Sequence, residues 1–271
     1  MVKVDYGPLG LARMAAGLSA PQTLPGLLGQ DEGRALRQVA MVDACGRVSA
    51  HTGERCIAEA GHESGSGFSV QANMMASREV WPAMAEAYRR ASGDLAERLM
   101  HTLEAAQAVG GDLRGKQSAA MLIVGAERKP EPWKGIVLEL RVEDHPDPLK
   151  ELRRLLQLQR AYEHMNRGDD LLGKHQTEQA LEEYRRAAMI APEIPELPFW
   201  HAVTLADLNR LDEALPLFRD VFTRDPNLAI LLQRLPPVGL FRDDPQLLRQ
   251  ILSVVPFRSE DGGTGDSEAQ S

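Results

Sequence analysis

Four residues in the second half of the chain recur at one fixed spacing. Ala180, Leu181, Tyr184 and Pro192 are matched by Ala214, Leu215, Phe218 and Pro226, each 34 positions later. Self-similarity at a period of this length means that one supersecondary unit is stacked on copies of itself. The residue types say which unit. A small residue with an aromatic ring four positions on suits two helices packed closely, and the later Pro stops the second helix. Gly168 and Ala202 each lie 12 positions before the Ala of their unit, where a close helix–helix approach also requires a small side chain.

This pattern is that of tetratricopeptide-like helical hairpins, although Trp200 lies two residues later than the aromatic of the consensus first helix. Two units are fewer than the roughly three needed to stand alone. Flanking helices at 149–167 and 245–255 are therefore expected as caps, and the module is expected to span 149–257. The last 14 residues, RSEDGGTGDSEAQS, hold four acids and one Arg without any apolar period. They read as a disordered acidic tail, 258–271.

Residues 1–145 have a different character, with more Gly and mixed strand and helix signals. YGPLGLARMAAGLSA follows a helical period and offers Gly17 as a stop, after which Ser19 is the expected N-cap of a second helix with Pro21 in its first turn. VAMVD (39–43) and VSAHT (48–52) form a hairpin about the ACGR turn, and FSVQAN (68–73) alternates as a half-buried strand does. Val80, Trp81, Met84 and Tyr88 share a helix face. Asp94 and Glu97 open a further helix along which Leu95, Leu99 and Leu103 recur. SAAMLIV (118–124) is expected as a buried strand, ERKPEPW as a loop, and KGIVLELRVED as an alternating strand. Strands, two helices and strands again predict an α+β layered domain rather than an alternating α/β one.

The charge balance narrows the function. The net charge is −8, of which the tail carries −3, and the remainder is a mixed surface without a basic stripe. Nucleic acid is thus an unexpected partner. No apolar run approaches the roughly 18 to 20 residues of a membrane span, and MVKVDYGPLG is not a signal peptide. The expectation is no membrane partner and a cytoplasmic location. Cys45 and Cys56 are too few for a disulfide framework, and the seven His lack metal-ligand spacing. No metal or cofactor is expected.

Gly110, Gly115 and Lys116 in GGDLRGKQS match the G-x-x-x-x-G-K spacing of a phosphate-binding loop. That loop works when a strand precedes it and a helix starts at Lys-Ser/Thr, aiming backbone N–H groups at phosphate. Here a helix precedes and a strand follows, and Gln117 stands where Ser or Thr would hold a metal ion. A helix stop at Gly110 and Gly111, turning into a strand, fits better. GHESGSGFSVQAN misses G-x-S-x-G because Ser64 lies two positions before Ser66. Alternation puts Gln71 and Asn73 on one strand face, either as donors to a substrate oxygen or as an amide ladder with a neighbouring strand. His51 and Asp43 on the hairpin are a candidate base and orienter.

Taken in order, YGPLGLARMAAGLSA, RQVAMVDACGRVSAHTGERC, AGHESGSGFSVQANMM, GGDLRGKQSAAMLIV and LELRVEDHPDPLKELRRLL resemble the domain of unknown function 1028 family, over roughly residues 5–158. The resemblance implies an N-terminal-nucleophile (Ntn) hydrolase-like fold, a four-layer αββα sandwich, and hydrolysis of an amide-type bond in a small molecule. It also implies a Thr, Ser or Cys nucleophile at residue one, whereas loss of Met1 here would expose Val2. Either the chain is an N-terminally truncated member, whose sandwich would have unpaired sheet edges, or its enzyme-like domain is not a hydrolase. Gln71 and Asn73 match the family's svQgN block, with Ala72 where Gly is usual. Gly111, Asp112, Gly115, Gln117 and Ser118 match its GGDxRGxQSAA block, which also contains Lys116.

These readings give Gln71, Asn73, Asp112 and Ser118 as candidate catalytic residues. Asp43, His51, Gly111, Gly115, Lys116 and Gln117 are the candidate pocket. The expected protein is an Ntn-hydrolase-like domain, 1–145, joined to a tetratricopeptide-like module, acting on a small molecule as a homo-oligomer. The contrasting reading is a non-catalytic scaffold whose repeats bind a protein partner.

Overall fold

The computed structural model describes residues 2–256, so the expected acidic tail lies outside the described residues. The chain divides into two compact units, up to Leu156 and from Gln157 onward. The first is a mixed α/β unit with small antiparallel sheets, and the second is helical.

Helices α1 (Tyr6–Ala15) and α2 (Ala20–Leu28) open the first unit. Ser19 caps α2 in a complete capping box: its hydroxyl accepts from the Gln22 amide while the Gln22 side chain accepts from the Ser19 N–H. Behind these helices lies the hairpin of β1 (Gln38–Val42) and β2 (Val48–Thr52), paired antiparallel from Gln38–Thr52 to Val42–Val48. Tyr6, Ala20, Leu24, Leu27 and Met41 form the buried cluster between them.

The next ribbon pairs β3 (Gly61–Gly65) with β4 (Phe68–Ala72). Sequence reasoning misses β3, because GHESG lacks the β-branched and aromatic residues that mark a strand. Its extended state comes from its ladder with β4. The β4 strand also stops one residue earlier than expected, at Ala72, leaving Asn73 beyond it and Met74 in the left-handed region at φ 61°.

Helices α3 (Val80–Arg90) and α4 (Leu95–Ala108) follow, and Asp94 caps α4 by accepting from the Glu97 amide. The third ribbon is β5 (Ala119–Val124) with β6 (Ile136–Val142). The expected burial of β5 holds for one face only. Met121 is buried against Met100 and Leu138, whereas Leu122 and Val124 are 60% and 61% exposed. The leucine face of α4 is likewise displaced, since Ala96 and Met100 are buried while Leu95 is exposed.

A 26-residue helix, α5 (Pro148–Gly173), crosses the division between the units. The expected cap and the first repeat helix are thus one continuous helix. After it come α6 (Thr177–Ile190), α7 (Glu196–Asp207), α8 (Leu211–Arg224), α9 (Asn227–Gln233) and α10 (Pro245–Leu252). The 34-residue offset relates both bounds of α6 to those of α8. It extends to the loops before them, where His175 and Asn209 adopt left-handed φ values of 60° and 63°. Tyr184 and Phe218 occupy equivalent buried places in one core with Phe199, Ala202 and Phe222.

Two contacts make these arrangements testable. Asp31 is buried, accepting from the Tyr6 hydroxyl and Arg37 Nε at 3.0 Å each and from the Gly33 amide at 3.0 Å. Arg37, opposing the cost of burial, holds the Asp31 carboxyl well below its ordinary range, while burial and Asp31 push the Tyr6 hydroxyl up to about 12. A depressed carboxyl stabilises the fold above its unfolded-state value, and that contribution is lost as pH falls through the folded one. Asp31→Asn should therefore unfold at a lower temperature than the wild type at neutral pH, with the gap closing below about pH 4 in calorimetric melts. In the helical unit, a Cβ on Gly168 would meet the Tyr184 ring at 2.6 Å. Gly168→Ala should cost about 1–3 kcal/mol in urea unfolding, despite the better helix propensity of Ala.

Candidate functional site

The C-terminus of α4 sets up one cleft. Gly110 and Gly111 take φ values of 116° and 62°, their amides bonding back to the Gln107 and Ala106 carbonyls. This glycine turn ends the helix and redirects the chain toward β5. Helix before loop and strand after it is the reverse of a phosphate-binding loop.

Across the turn, residues 74–76 form a second wall. The Leu113 amide donates to the Met74 carbonyl and the Ala76 amide to the Gly111 carbonyl, at 3.0 and 2.9 Å. Below them opens a cleft of about 620 Å³ lined by Gly111, Asp112, Gly115, Lys116, Gln117 and Ser118. Leu103 and Leu149 supply apolar wall, and Asp144 is a further carboxylate at the edge.

Within this cleft Asp112 is a fixed anion. Arg114 donates to it from its backbone N–H at 2.8 Å, from Nε at 3.0 Å and from Nη2 at 2.6 Å. The Arg114 guanidinium outweighs the opposing effect of burial and holds the Asp112 carboxyl below its ordinary range. It is therefore ionised at neutral pH and is no proton donor there. Lys116 lies 3.5 Å from Asp147, and the Gln117 carbonyl accepts from the His145 amide at 2.8 Å. Gln117 and Ser118 are exposed to the cleft.

The other candidates fall elsewhere. Gln71 is exposed on β4, accepts from Ser69 Oγ at 3.0 Å, and lines a separate, mainly apolar cleft with Phe68, Tyr88, Leu99 and Leu122. Asn73 is half-buried past the strand end. The early end of β4 thus separates two amides that alternation would place together.

Asp43 and His51 lie at opposite ends of the first hairpin. Burial alone would raise the Asp43 carboxyl, but the Ala20, Arg47 and Cys45 amides and the Arg47 guanidinium hold it below its usual range. Those bonds cap the start of α2 and close the β1–β2 turn. His51, paired with Val39 in the ladder, places Nε2 2.8 Å from the Arg34 carbonyl. Neither is oriented toward the other as base and orienter.

A third cleft, of about 540 Å³, falls outside the sequence-based expectations. Thr52, Cys56, Glu59, His62, Arg78 and Trp81 line it. Thr52 and His62 stand within the HTGERC and AGHESG segments that carry the family resemblance, so a signal exists, but nothing in their spacing shows that β2 and β3 lie side by side. Among the described residues, no group of three or more His, Cys, Asp or Glu could hold a metal ion. None of the described helices is long and apolar enough to cross a membrane.

Antiparallel hairpins backed by helices, with a cleft beneath a glycine turn from helix to strand, define a mixed α/β domain with a candidate small-molecule site. The chain belongs to a family of unknown function (DUF1028), whose model matches residues 1–152. It is similar to protein SPO2555 from Silicibacter pomeroyi, whose crystal structure carries the same family description, with 29% identity and a TM-score of 0.50. The match covers 57% of this chain and 66% of that one, just under two thirds of its length. Among curated proteins, none matches the chain.

If Arg114 clamps the turn through Asp112, then Asp112→Asn should loosen it. Hydrogen exchange at the amides of 113–115 is expected to accelerate about threefold to tenfold, as for a lost hydrogen bond of about 1 kcal/mol, with the β1–β2 amides unchanged.

Proposed function

We propose that the first unit binds a small amide-type molecule in the cleft at residues 111–118. The observation carrying this reading is the convergence of Gly111, Asp112, Gly115, Lys116, Gln117 and Ser118 on one cleft wall. Within that cleft, the Ser118 hydroxyl and Gln117 amide are suited to the polar atoms of an amide, and Leu103 and Leu149 to its apolar part. Asp112 serves to hold the turn through Arg114, and Lys116 supplies a cation at the rim.

The reaction type, hydrolysis of an amide bond on an Ntn-hydrolase-like αββα sandwich, comes from the family resemblance. In that reading Gln71 and Asn73 assist from the neighbouring β4 segment. The protein works in the cytoplasm as a homo-oligomer.

A second role belongs to the helical unit. The equality of the α6 and α8 bounds under the 34-residue offset, with matched left-handed turns before each, supports a tetratricopeptide-like module. Such a module binds a protein partner while the first unit binds the small molecule.

Titration with N-acetyl amino acid amides, followed by backbone NMR, tests the first role. Shifts are expected at Met75 and 111–118. Ser118→Ala should weaken binding about threefold to tenfold, the value of one hydrogen bond near 1 kcal/mol. Shifts confined to the other clefts would remove this assignment.

A further inference from the structure

The third cleft contains a hydroxyl and an imidazole in direct contact. Thr52, the last residue of β2, places Oγ1 2.7 Å from Nδ1 of His62 on β3. The Gln38 amide donates to the same Oγ1 at 3.1 Å, and it also reaches the Gly61 and Ala72 carbonyls at 3.1 and 2.9 Å. The Gln38 nitrogen has two hydrogens for these three acceptors, so Thr52 shares its donation with the two carbonyls. In the tautomer protonated at Nε2, the imidazole accepts the Thr52 hydrogen at Nδ1.

The surroundings favour access and positioning. His62 is exposed, so an incoming group reaches the pair without movement of a lid. The wall beside it is the Trp81 indole, packed so closely on Gly61 that a Cβ there would lie 2.4 Å from the ring. Cys56 shares the cleft but donates its thiol to the Arg37 carbonyl at 3.4 Å, away from the pair.

We propose that Thr52 and His62 are a nucleophile–base pair that accepts the acyl group of small esters with an apolar acyl part. In the first step the Thr52 oxygen bonds to the ester carbonyl carbon and its proton passes to His62 Nδ1. The bond from that carbon to the leaving oxygen breaks, and the departing alkoxide takes the proton from Nδ1. Water then repeats the sequence, releasing the carboxylic acid and restoring the Thr52 hydroxyl. Esters fit better than amides, because no carboxylate among the described residues bonds to the far nitrogen of His62 and an alkoxide leaves with less proton assistance than an amine. The Trp81 face is the apolar surface against which the acyl part rests.

The probe is p-nitrophenyl acetate, with nitrophenolate release followed by absorbance and the acetyl group located by peptide mass mapping. The wild type should acetylate at Thr52. His62→Gln and Thr52→Val should each release nitrophenolate about a hundredfold or more slowly, the range of general-base assistance. Thr52→Ser keeps both the hydroxyl and the Gln38 hydrogen bond, so it should retain the reaction even if Thr52→Val proves less stable in thermal melts. Equal rates in the wild type and a folded Thr52→Val, acetylation only at Cys56 or at lysines, or no acetylation at all would overturn the proposal. Failure of amide binding at 111–118 would leave this result untouched, because the two clefts share no residue.

Discussion

One side-chain amide ties the N-terminal half together. Gln38 reaches Thr52 on its own ribbon and the carbonyls of Gly61 and Ala72 on the next, and the Thr52–His62 and Gly67–Gly46 hydrogen bonds add to this link between β1–β2 and β3–β4. A lone two-stranded hairpin is marginal in water. These ribbons persist because each is backed by helices and because Gln38 bridges them. The same bridge fixes the Thr52 hydroxyl against His62 and holds the end of β4, from which the 74–76 wall of the cleft at 111–118 departs.

The helical unit rests on a different constraint, the close approach of helices at small residues. Gly168 is buried against the Tyr184 ring, and Ala202 and Ala214 are fully buried among Phe199, Phe218 and Phe222. At Gly168 the absence of a side chain makes room for the Tyr184 ring. The second half is legible in its residues alone because helix, turn and buried ring recur together.

In the first half, legibility follows locality. The Ser19 cap, the hairpin about ACGR and the glycine stop after α4 are set by neighbours within a few residues, and each forms where the pattern places it. Elements that depend on distant partners escape the pattern or are misjudged by it. The β3 strand has no propensity of its own and exists only by pairing with β4. The exposed outer face of β5 reflects what packs against it, which an apolar run cannot reveal. Among site residues, the 111–118 block comes together because it is one turn. Asp43 with His51, and Gln71 with Asn73, required a geometry that local pattern could not guarantee.

Short-range pattern in the chain was enough to settle the family, the helical period, the caps and the turn that carries Gly111 to Ser118, because these are local choices of backbone conformation. Folding of the whole unit was needed to commit Asp43 to capping α2 and to bring Thr52 against His62 across adjoining ribbons. Such pairings depend on where separate elements settle against one another, and hydrogen bonds act only over about 3 Å. Residues on different elements acquire that proximity through tertiary packing, which no local spacing encodes.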